Sequence, residues 1–332
     1  MKAILSENPG GPETLRLADV AAPEPGRGEV RVAVRAVGVN FPDVLIIEDR
    51  YQVRPPRPFS PGAEFAGVVD AVGDGVSGLA PGDRVMALPM FGAMAEQVCV
   101  GADRCHKVPD NVSLEQAAAL QMTYGTALYG LDDRGNLSGG EMLLVLGAAG
   151  GVGLAAVELG RALGARVVAA ASSQAKVDAA VERGADAGVV YPPGPLDRDA
   201  QNALAEQFKA ACGPDGADVV FDIVGGDYTE PALRAIAWLG RLMIVGFPAG
   251  IARIPANLPL LKSCDIRGVF WGAGIKRDMA AHHEAMDRLL AMLADGRISP
   301  RIHASYPLER AGEAIAALSS REVVGKVIVT VD

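Results

Sequence analysis

The residues best suited to chemistry in this chain form one turn, Gly147-Ala148-Ala149-Gly150-Gly151-Val152-Gly153. It follows the apolar run 142–146 and opens a segment of helical period. Glycines between a strand and a helix allow a tight exit and let backbone N–H groups approach a pyrophosphate. They also let the helix pack closely, with its positive end toward the phosphates. A second apolar run, 166–171, completes the strand–turn–helix–strand context that a dinucleotide site requires. An NAD site usually carries Asp or Glu at the end of that second strand, for the ribose 2′-hydroxyl. Here the strand runs into Ser172, Ser173, Gln174, Ala175 and Lys176. No carboxylate repels a 2′-phosphate, and two hydroxyls and an ammonium can donate to it, so NADPH is the cofactor expected. The bland alternatives are a glycine-rich turn that binds nothing and a solvated lysine at a helix start.

The elements that must position this turn alternate in type. Apolar runs at 142–146, 166–171, 188–191, 218–224, 241–247 and 265–270 are nearly continuous, as in strands covered on both faces. Helical patterns separate most of them. Val152, Ala155, Ala156, Leu159 and Leu163 share one helix face, with Glu158 and Arg161 outside it. Gly184 reads as the C-cap of KVDAAVERG, and AQNALAEQFKAAC and PALRAIAWLG read as further helices. The alternation predicts a parallel sheet with right-handed crossovers.

The first third is different. GEVRVAVRAV places Val30, Val32, Val34 and Ala36 on one face and Arg31 and Arg35 on the other, a half-buried strand. EFAGVVDAVG, DRVMAL and AEQVCV read as further short strands, together a strongly bent sheet or barrel. SLEQAAAL opens a helix, with Ser113 and Gln116 at capping-box spacing. From about residue 262 the chain reads as a return to this first domain, through HHEAMDRLLAMLADG, ERAGEAIAALSS and the strand KVIVTV.

A length of 332 residues predicts two domains. With 31 Lys and Arg against 40 Asp and Glu, the net charge of −9 argues against nucleic acid and anionic membrane surfaces. Cys99, Cys105, Cys212 and Cys264 are scattered without a CxxC pair, which suggests reduced thiols in a cytosolic, cytoplasmic protein. MKAILSENPGG has no apolar signal segment, and the longest uncharged run, between Glu141 and Glu158, is too short to span a bilayer.

VGVNFPDVL, PGAEFAGVVDAVG, PGDRV, GAAGGVG, VFDIVGG, MIVGF and GKVIV together cover essentially the whole chain. On this set the sequence resembles the medium-chain dehydrogenase/reductase superfamily, and within it the zinc-free quinone oxidoreductase (zeta-crystallin-like) branch. The resemblance implies an α/β protein of two domains. One is a GroES-like β-barrel catalytic domain of residues 1–122 and 262–332; the other is a doubly wound, six-stranded parallel Rossmann domain of 123–261. The superfamily's alcohol dehydrogenases hold a catalytic zinc. At the matching places this chain has Asn40, Ala63 and the neighbourhood of Gln121–Met122, none a good ligand. Glu64 alone cannot hold zinc, the four-cysteine structural loop is missing, and Cys105 and His106 point to opposite faces of a strand. No metal is therefore expected.

The branch's chemistry is hydride transfer from NADPH to a quinone or to the β-carbon of an α,β-unsaturated carbonyl, acceptors that need no Lewis acid. By resemblance, Asn40, Asp43 and Tyr51 line the catalytic site, with Tyr51 a candidate proton donor and Asp43 either catalytic or a structural hydrogen-bonder. Leu45 stands where the family often has another tyrosine. Phe41, Thr123, Tyr191, Val224, Gly225, Gly246, Phe247, Phe270, Trp271 and Lys326 match cofactor-side positions, although Phe270 and Trp271 could equally be core or interface residues. Other readings are an enoyl- or acrylyl-CoA-type reductase, using Arg50, Arg54 and Arg57 for the thioester's phosphates, a zinc-type alcohol dehydrogenase, or a non-catalytic NADPH-binding protein. The family's sheets pair edge to edge in a homodimer, and the run RLMIVGFPAGIARIP is the expected edge.

Overall fold

The computed structural model describes residues 1–320 and 322–332. The chain forms two units, Met1–Met122 with Met286–Asp332, and Thr123–Ala285. The return to the first unit thus falls at Met286 rather than near 262, because the run at 265–270 supplies a strand to the second unit's sheet.

In chain order the first unit has β1 (Lys2–Leu5), β2 (Arg16–Asp19), β3 (Glu29–Val39), α1 (Phe41–Ile47), β4 (Glu64–Val72), β5 (Arg84–Ala87), β6 (Gln97–Gly101), β7 (Cys105–Lys107) and α2 (Leu114–Ala118). The second has α3 (Gln121–Leu128, whose first two residues belong to the first unit), β8 (Met142–Leu146), α4 (Gly151–Ala162), β9 (Arg166–Ala171), α5 (Gln174–Glu182), β10 (Ala187–Val190), α6 (Arg198–Cys212), β11 (Ala217–Asp222), α7 (Thr229–Arg234), β12 (Ile236–Ile244), α8 (Asn257–Lys262), β13 (Asp265–Gly268) and α9 (Trp271–Arg277). α10 (Met279–Ala294) carries the chain back to β14 (Ile302–Pro307), α11 (Ala311–Ala317) and β15 (Lys326–Thr330).

In the first unit β3 is the organising strand. It pairs antiparallel with β15, β4 and β6, and the shifts in its register with β4, at Arg31/Val32 and Val34/Ala36, are β-bulges that bend the sheet. Its inward residues Val30, Val32, Val34 and Ala36 are fully buried, as the alternation predicted. Val30, Val32 and Val34 share a core with Phe65, Ile46, Ile47, Met94, Ile315 and Val329. This is the GroES-like unit. Ser113 caps α2 by accepting from Gln116 N at 3.1 Å.

The second unit is a six-stranded parallel sheet in the order β10-β9-β8-β11-β12-β13, the doubly wound Rossmann arrangement. Every residue of β8 is buried, as expected for a central strand covered on both faces.

Three local expectations differ. AIAWLG is not helical. α7 stops at Arg234, and Ile236–Ile244 joins the sheet, with a register shift opposite β11. Leu239 takes φ +62° there, and Trp238 and Leu239 project at 65% and 63% exposure. Strand pairing overrides the local pattern. The run starting at Arg241 is likewise not the sheet edge; β13 is. Glu158, placed outside the apolar face of α4, is buried. Its Oε2 accepts from the Tyr124 hydroxyl at 2.7 Å and its Oε1 from Arg183 at 3.2 Å. Among the described residues no helix is long and apolar enough to cross a membrane.

Candidate active site

The polar cluster of the first unit begins where β3 ends. Asn40 is extended and starts α1, and the carboxylate of Asp43 turns back to accept from Asn40 N at 2.8 Å and Gly62 N at 3.2 Å. Asp43 is 1% exposed. Burial pushes its carboxyl up to about 6, against the opposing pull of the two backbone donors and of Lys326. Glu64, the first residue of β4, is fully buried. One oxygen accepts from Asn40 Nδ2 at 2.8 Å and lies 2.5 Å from Lys326 Nζ; the other accepts from Met122 N at 2.7 Å. Lys326 Nζ also donates to Asn40 Oδ1 at 2.5 Å and to Val39 O at 3.1 Å.

This arrangement changes two assignments. Asn40 donates its second amide hydrogen to Gly38 O at 3.0 Å, so both are directed into the protein and neither is free to position a substrate. Lys326, expected on the cofactor side, directs its ammonium at three internal oxygens and is 4% exposed. A glycosidic or phosphate oxygen would find no donor left on it. Tyr51 is half-buried against the unit's core, and burial and then the Asp43 charge raise its hydroxyl above the usual phenol range. It is protonated at neutral pH and available as a donor. Phe41 begins α1 half-exposed, and Leu45 follows on the same helix. Arg57, one of the three thioester candidates, is turned inward on Asp49 Oδ1 (2.8 Å), Ile47 O (2.7 Å) and the Phe59 ring, while Arg50 pairs with Glu48.

Because its folded carboxyl titrates above the ordinary 3.8, Asp43 binds its proton more tightly folded than unfolded. Its stabilising contribution is complete below that value and is lost as pH rises through about 6. The melting temperature of wild type relative to Asp43→Asn should therefore fall between pH 4 and 7. A difference that stays flat or rises would contradict the assignment.

The second unit gathers the other candidates at the carboxyl ends of its strands, where open parallel sheets bind ligands. Gly147 leaves β8 at φ +73°, and Gly150 caps α4. At Gly153 a Cβ would lie 2.1 Å from Gly147 O. Ala148 and Ala149 are buried in the turn, while Gly151 and Val152, the first residues of α4, are half-buried. After β9, Lys176 Nζ reaches Ser172 Oγ at 3.1 Å on an exposed surface, and Ser173 starts α5. Tyr191, after β10, is buried with its ring 4.9 Å from that of Tyr228. Val224–Gly225 and Gly246–Phe247 follow β11 and β12, and Phe247 and Phe270 are both 59% exposed. Thr123 is buried in α3. Trp271 is buried too, its ring filling the space a Cβ on Gly125 would need and lying edge-on to His282. It is a packing residue of this unit.

Sequence reasoning missed Asp222. This carboxylate at the end of β11 accepts from Val224 N (2.8 Å), Gly225 N (2.9 Å) and Thr229 Oγ1 (2.5 Å), and its carbonyl accepts from Val245 N and Gly246 N. One residue thus holds the loops that follow β11 and β12. The only prior signal was a lone acid inside an apolar run, VVFDIV.

The two units, a GroES-like sheet with a buried polar cluster and a doubly wound sheet with a glycine-rich turn at the N-terminus of α4, define a nicotinamide-dependent oxidoreductase fold. Comparison with known proteins agrees. Residues 26–110 match the Alcohol dehydrogenase GroES-like domain and 151–294 the Zinc-binding dehydrogenase family. Quinone oxidoreductase-like protein 2 of Rattus norvegicus is 38% identical over 320 residues, 96% of this chain and 89% of the relative. Escherichia coli quinone oxidoreductase, solved with NADPH, superposes with a TM-score of 0.88 at 29% identity, over 99% of this chain and all of that one. A structure described as an NAD-dependent alcohol dehydrogenase gives 0.88 at 31% identity, with all of both chains covered. The chain belongs to the medium-chain dehydrogenase/reductase superfamily, in its quinone oxidoreductase branch.

One of those families is named for zinc, and the donor set here does not suit that ion. Asn40 already has its amide bonded inward, Ala63 offers no donor, and Gln121 presents only a buried amide with no hydrogen-bond partner among the described residues. Among the described residues no group of three His, Cys, Asp or Glu side chains could hold a metal, Cys105 and His106 included.

Proposed function

We propose that the chain is a metal-independent, NADPH-dependent reductase of quinones or α,β-unsaturated carbonyls. The observation that carries this reading is the Ser172–Lys176 pair, an exposed hydroxyl and ammonium 3.1 Å apart where an NAD site would carry a carboxylate. When bound, NADPH supplies a hydride. The Gly147–Gly153 turn and the N-terminus of α4 would hold its pyrophosphate, and Ser172, Ser173 and Lys176 its 2′-phosphate. Val224–Gly225 and Gly246–Phe247 would line the nucleotide, and Tyr51 would donate a hydrogen bond, then a proton, to the acceptor oxygen on which charge develops. The inward turn of Arg57 favours small acceptors over a CoA thioester.

Steady-state NADPH oxidation with a panel of quinones and enones tests the reading. Acceptor-dependent turnover that survives a chelator is expected, and Lys176→Ala should raise KM for NADPH about tenfold while leaving NADH unaffected. No acceleration by any acceptor, or loss of turnover on chelation, would end it. A homodimer belongs to the same proposal. β13 is an open edge, and Trp238, Leu239, Leu260 and Leu261 are exposed apolar side chains of the same unit that a second copy would cover. Sedimentation of the chain as a monomer would refute that part.

A further inference from the structure

The Lys326 ammonium sits in a cage of three oxygens, Val39 O, Asn40 Oδ1 and Glu64 Oε1, at 3.1, 2.5 and 2.5 Å. Each oxygen comes from a different kind of group, a backbone carbonyl, an amide and a carboxylate, and all belong to residues that are nearly inaccessible. We infer that Lys326 is a positioning residue for the reductase reaction, a resident cation fixed by the chain itself between the end of β3 and the start of β4. The inference rests on the reductase reading proposed above.

Burial alone gives no reason for such a group. A buried ion pair is seldom more stabilising than apolar side chains of the same volume, since desolvating two charges cancels most of their attraction. What this pair does supply is orientation. By occupying Asn40 Oδ1, the ammonium sets the flip of the amide, so that Nδ2 must face Glu64 and Gly38 O. With Asn40 fixed, its backbone N–H is presented to Asp43, and α1 begins in one place. Through Glu64, the same ammonium holds the acceptor of Met122 N at the start of α3. Gly325 makes the approach possible: at φ +91° it passes Arg301 O so closely that a Cβ would lie 2.3 Å from it, which delivers Lys326 to the head of β15. The charge of Asp43, whose carboxylate accepts from the Asn40 N–H that this arrangement presents, also acts on the Tyr51 hydroxyl. Lys326 is the cation paired with Glu64, and its charge also favours the ionised form of Asp43.

The test replaces the cation and then returns it. Lys326→Ala is expected to lower kcat on the order of 100-fold, the size of effect that misplacing a reacting group produces, with KM for NADPH within about threefold of wild type. Ethylammonium added to Lys326→Ala should restore at least about a tenth of the lost kcat, whereas tetramethylammonium and sodium at equal ionic strength should not. Lys326→Arg should fail as well, because a planar fork does not fit a three-oxygen cage. Should Lys326→Ala not fold, the Lys326→Met, Glu64→Gln double variant carries neither charge. It is expected to fold and bind NADPH normally yet keep the low kcat. Wild-type kcat in the double variant, or indifference of Lys326→Ala to ethylammonium, would overturn the inference. If wild type reduces no acceptor, the reductase reading fails by itself; an ethylammonium-specific rise in the melting temperature of Lys326→Ala then supports the cage, and its absence refutes it.

Discussion

Gly153→Ala is expected to weaken NADPH binding by about 1000-fold, near 4 kcal/mol, while leaving the second unit folded. The new Cβ would lie 2.1 Å from Gly147 O and 2.8 Å from Ala148 Cα. Both are backbone atoms of the turn, so no side-chain rotation can relieve the contact. Either α4 withdraws from the sheet or the turn opens, and both moves take the N–H groups away from the pyrophosphate. Gly160→Ala is the control, on the same helix. Its Cβ would meet Leu143 Cδ2 at 2.6 Å and Val167 Cγ2 at 3.1 Å, the ends of side chains in the core. That variant should lose about 1–3 kcal/mol of stability through overpacking and keep its affinity. Fluorescence titration with NADPH, beside urea unfolding, separates the two. Equal affinities for Gly153→Ala and wild type would remove the turn from the binding site.

Asp222→Ala should cost about 3 kcal/mol of stability, with NADPH affinity falling at least about tenfold. Three donors, the buried Gly225 N and Thr229 hydroxyl and the partly buried Val224 N, lose their acceptor together. Gly225 and Gly226 hold φ of +72° and +58°, and the carboxylate helps to fix that conformation. Asp222→Asn keeps an acceptor for the two amides and can still meet Thr229, so it should lose about 1 kcal/mol. Burial raises the Asp222 carboxyl while the hydrogen bonds oppose the rise, which is why the neutral amide is tolerated better than a methyl group. Urea midpoints in the order wild type, Asn, Ala are the expected result. An Asn variant as unstable as Ala would show that charge, not hydrogen bonding, holds the loops.

Most secondary structure was legible because the core strands and helices carry strong periods. β3 alternates from Glu29 to Ala36, β8 is apolar throughout, and Ser113 and Gly184 mark helix ends by their side-chain and backbone chemistry. The glycine turn after β8 was legible for a related reason: its glycines answer local demands, a positive φ at Gly147 and a close approach at Gly153. The failures share a cause. AIAWLG has a helical pattern, yet nonlocal pairing of Ile236 and of Arg241–Ile244 with β11 draws it into a strand. Glu158 has the type of a surface residue, yet Tyr124 and Arg183, distant in sequence, give it partners inside the protein.

The sequence by itself therefore determined the two-part α/β plan, the glycine turn between β8 and α4 and the absence of a carboxylate after β9, since each is written in neighbouring residues. Only the tertiary structure decided what Asn40, Glu64, Asp222 and Lys326 do. Lys326 meets Asn40 across 286 positions of chain, and Met122 meets Glu64 across 58. A buried polar group takes its role from the partner that satisfies it, and that partner is chosen by the packing of strands, not by spacing along the chain.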